Sequence, residues 1–317
     1  TFQFRIPGES KPVTRCYSLS DAPGRDYYRC TIKKVPPPPN HPDFDPGRAS
    51  TFMNEQVREG DILDVKAPRG NFFLDLDGDR PIVLLAGGVG ITPMLSMLNA
   101  LALSGSSRRA ILFYGVMNSM SHIARQEIAA LCHSHANLEA VTCYSDSVEG
   151  EIQGRHFDVA ERVSIPLLRQ RLGASGHRDC DFYLCGPAGF MLALSEGLQA
   201  WGVPEQNIHT EAFGPSAIKK KAPAASSVSP GAPPWTVNCG RSGKQAVWGP
   251  QFDSLLAFAE AAGIDIESGC RAGNCGTCAI AVKDGTVTYT EEPSSDCENG
   301  TCLPCVCIPA GPLVVDA

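Results

Sequence analysis

The sequence predicts a multidomain protein in which an antiparallel β-barrel, an α/β domain on a parallel sheet and a small cysteine-rich domain follow one another. Short alternating strands separated by glycine and proline turns predict the barrel within residues 1–79. Apolar strands that alternate with helical stretches predict the parallel sheet within residues 80–215. Residues 216–232 are rich in proline, alanine and serine, which predicts an extended linker and leaves residues 233–317 as the third domain.

Charge and cysteine content exclude several classes of protein. The net charge of −7 and the pI near 5.5 argue against a nucleic-acid partner, because binding to phosphates needs a basic face. Fourteen cysteines would suggest disulfides in a small secreted domain, but this chain is long, shows no secretory signal and has cysteines at a metal-type spacing. We therefore expect a cytoplasmic protein.

One uncharged run, residues 81–103, is long enough to cross a bilayer. The stretch "GGVGITP" interrupts this run with three glycines and a proline. A β-strand, a glycine turn and a helix fit the pattern better than a membrane helix, so we expect no membrane insertion.

Two glycine turns carry the first chemical signal. In "GGVGITP", Gly88 and Gly90 would let the backbone turn sharply and approach a ligand, and the amides at the start of the following helix suit a pyrophosphate. A second strand ends at "YLCGPAGF", residues 183–190, and a helix follows. Two such turns on one parallel sheet would border one crevice, although tight turns without a ligand remain the alternative.

The third domain contains three cysteines spaced C-x4-C-x2-C, namely Cys270, Cys275 and Cys278. Plant-type [2Fe–2S] clusters use this triplet together with one distant cysteine. A zinc site is the alternative, but zinc sites usually show two close pairs, so the spacing favours the iron cluster. The candidates for the fourth ligand are Cys297, Cys302, Cys305 and Cys307.

Five motifs, in this order along the chain, resemble those of the ferredoxin-NADP reductase superfamily of flavoprotein reductases: "RCYSLS", "GRAS", "GGVGITPM", "CGPAGFM" and "EAFG". Residues 233–317 resemble a plant-type ferredoxin, which implies a β-grasp fold. The domain order is similar to phthalate dioxygenase reductase and the reductase components of Rieske oxygenases, whereas the first two domains are similar to the reductase part of flavohaemoglobins. Family members carry further strands before the position of Thr1, so we expect an incomplete barrel.

The resemblance implies that the barrel binds a flavin. Tyr17 would lie on the flavin ring, Ser18 would hydrogen-bond its N5 edge and Arg15 would bind a phosphate. The implied flavin contacts are Arg15, Tyr17, Ser18, Leu19, Ser20, Gly47, Arg48, Ala49 and Ser50. The "GRAS" helix start and the flavohaemoglobin-like barrel favour FAD, and the domain order leaves FMN as the alternative.

The resemblance also implies a nicotinamide site. Its contacts would be Gly88, Gly90, Thr92, Pro93, Cys185, Gly186, Pro187 and Phe213. The implied catalytic set is Ser18, Cys185, Glu211 and Phe213, with Phe213 covering the flavin until the nicotinamide displaces it.

Asp146 bears on which nicotinamide cofactor is used. NADPH-dependent relatives tend to place an arginine at this position, whereas a carboxylate repels a 2′-phosphate and accepts from a ribose hydroxyl. We therefore predict NADH, with NADPH as the alternative because Arg125 could contact a phosphate.

For the cluster, the family's cysteine-x-x-x-proline pattern aligns Cys305 with Pro309, which predicts Cys270, Cys275, Cys278 and Cys305 as ligands. Cys302 and Cys307 are the rivals for the fourth position. The implied function is an NADH-dependent reductase that passes electrons through flavin and cluster to an electron-accepting protein, such as an oxygenase component. The alternatives are direct reduction of a small acceptor such as a quinone, and a non-catalytic iron–sulfur carrier.

Overall fold

The computed structural model describes residues 1–9, 12–37, 41–173, 179–213, 234–290, 293, 295 and 297–317. The predicted linker and Gly214 lie outside the described residues. Internal contacts divide the chain into two units. One contains Thr1–Cys16, Val57–Asn71 and the described residues after the linker, and the other contains Tyr17–Gln56 and the α/β region that starts at Phe72.

The first unit opens with a small antiparallel sheet of β1 (Phe2–Phe4), β2 (Val13–Arg15) and β3 (Asp64–Val65), with β1 in the centre. The antiparallel pairing agrees with the sequence prediction, but no closed barrel forms within the described part of the chain. A barrel closes only when its edge strands pair, and these strands have just two or three residues. Residues 27–34, an alternating stretch within the predicted barrel, make only the isolated bridge between Leu19 and Cys30.

The second unit contains the predicted parallel sheet, which has five strands. Its strands are β4 (Ile82–Gly87), β5 (Ala110–Val116), β6 (Leu138–Tyr144), β7 (Asp181–Cys185) and β8 (Ile208–Glu211). Helix α1 (Arg48–Glu55) precedes the sheet, and α2 (Ile91–Ser104), α3 (Arg125–Ser134), α4 (Ile165–Leu172) and α5 (Ala188–Trp201) connect the strands. The strand order is β6-β5-β4-β7-β8. Strands β5 and β6 are added on one side of β4, and β7 and β8 are added on the other side. This topological switch point is where open α/β sheets bind ligands.

Both faces of the central strand are buried. Leu84 and Ala86 pack into one hydrophobic cluster, and Val83 and Leu85 pack into the other. Helices on both sides of the sheet explain why the strand is continuously apolar rather than alternating. The run at residues 81–103 is therefore strand, turn and helix, and none of the described helices combines the length and apolarity needed to cross a membrane.

The cysteine-rich domain is a mixed sheet with one helix. Its elements are β9 (Trp235–Cys239), β10 (Lys244–Trp248), α6 (Leu255–Ala261), β11 (Ile280–Asp284), β12 (Val287–Tyr289), β13 (Thr301–Cys302), β14 (Cys307–Pro309) and β15 (Leu313–Val315). The sheet order is β10-β9-β15-β11-β13, with β15 parallel to β9, and β12 pairs with β14. A helix packed on a mixed sheet whose last strand lies beside the first is typical of the predicted β-grasp fold.

Candidate functional site

The two glycine turns meet backbone to backbone at the carboxyl edge of the parallel sheet. Ala86 is paired with Cys185, so the turn after β4 and the turn after β7 are neighbours. A Cβ added to Gly90 would lie 2.1 Å from the carbonyl oxygen of Cys185. A Cβ on Gly186 would lie 3.1 Å from the Cα of Gly87. Close packing of the two turns therefore requires glycine at Gly90, whether or not a ligand binds there.

The first turn leaves room beside it. Gly88 has a φ of +55°, and no atom lies within 4 Å of the position that its Cβ would occupy. Thr92 is buried, and its Oγ1 donates to the carbonyl oxygen of Val89 at 3.1 Å, which fixes the turn. Pro93 follows in the first turn of α2, where the missing amide hydrogen costs no helical bond. These residues therefore form a rigid edge at the switch point.

Three of the predicted catalytic residues come together at this edge. The Oγ of Ser18 donates to Oε2 of Glu211 at 2.9 Å, although the two residues are 193 positions apart. Glu211 lies beside Cys185 in the register of β7 and β8. Burial raises the pKa of Glu211 to about 6, against the opposing effect of the Ser18 hydrogen bond. Burial and the nearby Glu211 carboxylate raise the pKa of the Cys185 thiol well above its usual value, so Cys185 stays a neutral thiol.

The raised pKa of Glu211 predicts a pH-dependent stability. Because the folded state holds this proton more tightly, the stabilisation is complete below pH 4.5 and is lost as the pH rises to about 6. The wild-type free energy of unfolding should fall relative to Glu211→Gln by about 2 kcal/mol over that window. Urea titrations followed by circular dichroism between pH 4 and about 7.5 measure this difference. A difference that does not change with pH would contradict the prediction.

The predicted flavin-motif residues have structural partners of their own. Ser20 is fully buried, its amide donates to the carbonyl oxygen of Arg29 at 2.8 Å and its Oγ lies 3.0 Å from Oγ1 of Thr31. The Oγ of Ser50 donates to the carbonyl oxygen of Gly47 at 2.8 Å, which closes the first turn of α1. Arg15 ends β2 in the first unit, where its Nη1 donates to the carbonyl oxygen of Thr14 at 2.7 Å. Their roles in binding a flavin stay predictions.

Three further predicted residues, Asp146, Phe213 and Arg125, are exposed. Asp146 is exposed just beyond β6, an edge strand separated from β7 by β5 and β4. Phe213 follows β8 and is exposed, two residues after Glu211. Arg125 begins α3, and its Nη2 donates to the carbonyl oxygen of Arg155 at 3.3 Å. Asp146 and Cys185 thus mark separate parts of one sheet edge, as a long dinucleotide lying across the sheet would require.

A polar network that the sequence did not reveal fastens the chain after Ser18 onto the α/β region. Arg29 forms an ion pair with Glu127 at 2.6 Å, and Nδ2 of Asn99 donates to the same carboxylate at 2.8 Å. The Oγ of Ser96 donates to the carbonyl oxygen of Asp21 at 2.8 Å. The partners lie far apart in sequence, and only the acidic residue in the first turn of α3 gave any local signal. This network holds the segment that follows Ser18 against α2 and α3.

The four predicted cluster ligands of the third domain stand as two pairs. The amide of Cys270 donates to Sγ of Cys275 at 3.4 Å. Sγ of Cys278 lies 3.3 Å from Sγ of Cys305. A [2Fe–2S] cluster has two irons, each holding two protein thiolates, so two thiol pairs suit its chemistry. The rivals Cys302 and Cys307 are fully buried and hydrogen-bond to each other. The amides of Ala272 and Asn274 donate to Sγ of Cys270.

The fold combines an α/β domain of the nicotinamide-nucleotide type with a cysteine-rich domain of the iron–sulfur type. Residues 84–196 match the oxidoreductase NAD-binding domain, and residues 240–310 match the 2Fe-2S iron-sulfur cluster binding domain. The chain belongs to the ferredoxin-NADP reductase family, with an added [2Fe–2S] ferredoxin domain. The sequence prediction of this family, and of domains for a nicotinamide nucleotide and a cluster, is confirmed.

Three similarities describe the relationship. A flavohemoprotein of Bacillus cereus is 38% identical over 217 residues, which is 68% of this chain and 52% of the relative. The chain thus spans about half the length of the curated relatives it matches. The FAD/NAD-binding domain of nitric oxide dioxygenase from Vibrio cholerae aligns with a TM-score of 0.58 at 31% identity, covering 68% of this chain and 83% of that domain. Phthalate dioxygenase reductase shares the fold over 100% of this chain and 86% of its own, with a TM-score of 0.54 at 24% identity.

Proposed function

We propose that this protein is an NADH-dependent electron-transfer reductase that holds FAD and a [2Fe–2S] cluster and passes electrons to a partner protein, an oxygenase component. The observation that carries the proposal is that one chain contains both a switch-point edge with Ser18 and Glu211 and a set of thiols arranged as two pairs. When bound, the flavin exchanges a hydride with nicotinamide and single electrons with a cluster, which is chemistry that the protein only positions and tunes.

The residues of the proposed flavin site are those of the "RCYSLS" and "GRAS" motifs. Tyr17 would supply an aromatic face, and the start of α1 would hold the phosphates. Ser18 would serve at the reactive edge, and its hydrogen bond to Glu211 gives that edge a route for moving a proton. The relative from Vibrio cholerae is described as an FAD/NAD-binding domain, which supports FAD over FMN.

The proposed nicotinamide site is the edge formed by the two glycine turns. Gly88 and the start of α2 would receive the pyrophosphate, and Cys185 would face the nicotinamide as a neutral thiol. Asp146 is exposed at the far edge of the sheet, where its carboxylate would accept from a ribose hydroxyl and repel a 2′-phosphate. This supports NADH rather than NADPH.

The proposed cluster ligands are Cys270, Cys275, Cys278 and Cys305. The short distance between the sulfurs of Cys278 and Cys305 supports Cys305 as the fourth ligand. The backbone amides that point at Cys270 and Cys275 would stabilise thiolates at those positions. The likeness to phthalate dioxygenase reductase in fold and domain order supports an oxygenase component as the partner.

Stopped-flow mixing of the purified protein with NADH, and separately with NADPH, tests the proposal. We expect the flavin absorbance to bleach first and the cluster absorbance second, with NADH faster at equal concentration. Cluster reduction without prior flavin reduction, or faster reaction with NADPH, would contradict it. Steady-state turnover with a Rieske-type oxygenase component should exceed turnover with a quinone, and the reverse order would favour direct reduction of a small acceptor.

A further inference from the structure

A fifth thiol lies against the cysteine loop. Cys16, at the end of the N-terminal sheet, belongs to the same unit as the cysteine-rich domain. A Cβ added to Gly269 would lie 2.7 Å from Sγ of Cys16 and 3.3 Å from Sγ of Cys275. Both sulfurs therefore lie close to the position that a Cβ of residue 269 would occupy, so only glycine fits there. Oγ1 of Thr1 lies 3.4 Å from Sγ of Cys16 on the other side.

A second set of contacts holds the strand that precedes Cys16 next to the cysteine loop. The carboxylate of Glu267, two residues before Gly269, accepts hydrogen bonds from three side chains in and next to the N-terminal sheet. Nζ of Lys66 lies 2.6 Å from Oε2 of Glu267. Nε2 of Gln3 lies 3.1 Å from Oε1 and Oγ1 of Thr14 lies 3.5 Å from Oε1. Thr14 is two residues before Cys16, so this carboxylate fixes the strand that presents the thiol.

The sulfurs of Cys16 and Cys275 are neighbours at Gly269. A thiolate that ligates iron carries no proton, so in this pair Cys16 would be the donor and Cys275 the acceptor. The amide of Cys270 donates to the same sulfur at 3.4 Å. Cys16 adds a side-chain donor to a ligand sulfur that the loop's own backbone already stabilises.

We propose that Cys16 is a positioning residue that donates an S–H hydrogen bond to the sulfur of Cys275 and thereby raises the reduction potential of the cluster. The inference rests on the proposed function, in which Cys275 is a cluster ligand. Reduction adds negative charge that the ligand sulfurs share, so a donor to one of them stabilises the reduced state more than the oxidised state. Cys16 would not be a fifth ligand, because Cys270, Cys275, Cys278 and Cys305 already supply the two thiolates that each of two irons needs.

The test compares the whole protein with Cys16→Ala and Cys16→Ser. Cys132→Ala serves as the matched control, since this half-buried thiol lies on α3 in the other unit. Each protein is titrated with dithionite, the reduced cluster is followed by electron paramagnetic resonance, and iron and sulfide are measured. Dithionite reduces the cluster without nicotinamide or flavin, so the result does not depend on catalytic turnover.

At a fixed potential we expect the ratio of reduced to oxidised cluster to fall by a factor of about three to ten in Cys16→Ala, a shift of roughly 30 to 60 mV for one electron. Cys16→Ser keeps a hydrogen-bond donor, so the reduction potential of its cluster should be closer to that of wild type. Cys132→Ala should have the wild-type potential. Equal potentials in wild type and Cys16→Ala, with full iron in both, would overturn this inference alone. Loss of iron in both Cys16 variants would also overturn it, because Cys16 would then be needed for assembly. A wild-type protein without iron and sulfide would overturn the proposed function and this inference with it.

Discussion

Replacing Gly90 with alanine is expected to destabilise the α/β region by about 3 kcal/mol or to prevent its folding. The new methyl group would lie 2.1 Å from the carbonyl oxygen of Cys185 and 2.7 Å from the amide nitrogen of Gly186. Both atoms belong to the backbone, so no rotamer change can relieve the clash, and the turns after β4 and β7 must separate. Urea titration followed by circular dichroism measures the loss.

Gly189→Ala is the matched control for that substitution. Gly189 lies in the first turn of α5, and no atom comes within 4 Å of the position of its Cβ. Alanine is the better helix former, so this variant should be as stable as wild type or up to about 1 kcal/mol more stable. Similar stabilities for the two variants would show that the contact between the turns does not require glycine at Gly90.

Cys305→Ala is expected to lose the cluster, with iron falling from about two atoms per chain to a small fraction of that value. The sulfur of Cys305 lies 3.3 Å from that of Cys278, and its removal would leave one iron with a single protein thiolate. The visible absorbance of the cluster should disappear while the flavin spectrum and its reduction by NADH persist. Iron and sulfide analysis of the purified protein measures the result.

Cys302→Ala and Cys307→Ala provide the comparison, since these cysteines are the rivals for the fourth position. Both are fully buried and hydrogen-bond to each other rather than to Cys278. Their replacement should cost stability through the small cavities it creates, but the iron content should stay at the wild-type level. Full iron in Cys305→Ala together with loss of iron in Cys307→Ala would assign the fourth ligand to Cys307.

The agreement between sequence and structure is best where the signal is local. The parallel strands lie within residues 80–215 as predicted, because a strand covered by helices on both faces must be apolar throughout. The barrel prediction is weaker, since alternation in residues 27–34 indicated a strand where the chain makes one bridge. Alternation shows that a segment can pair, whereas pairing also needs a neighbour with free backbone groups.

The candidate sites also combine features of short segments with contacts between residues that are distant in sequence. Glycines after a strand and cysteines at a fixed spacing are properties of short segments, so the amino-acid sequence alone displays them. It does not display the hydrogen bond between Ser18 and Glu211, because that bond joins positions 193 residues apart. Gly90 was expected to make room for a ligand, and the structure adds that it makes room for the neighbouring turn.

By itself, the sequence determined the family, the parallel sheet and the glycine turns, and it predicted four cluster ligands, because these features lie in the composition or spacing of short stretches. Only the tertiary structure decided which thiols stand in pairs, that Glu211 is half-buried with a raised pKa, and that Cys16 lies against Cys275. Those properties depend on which distant segments are packed together, and packing sets the burial, the hydrogen-bond partners and the local electrostatics that tune a redox site.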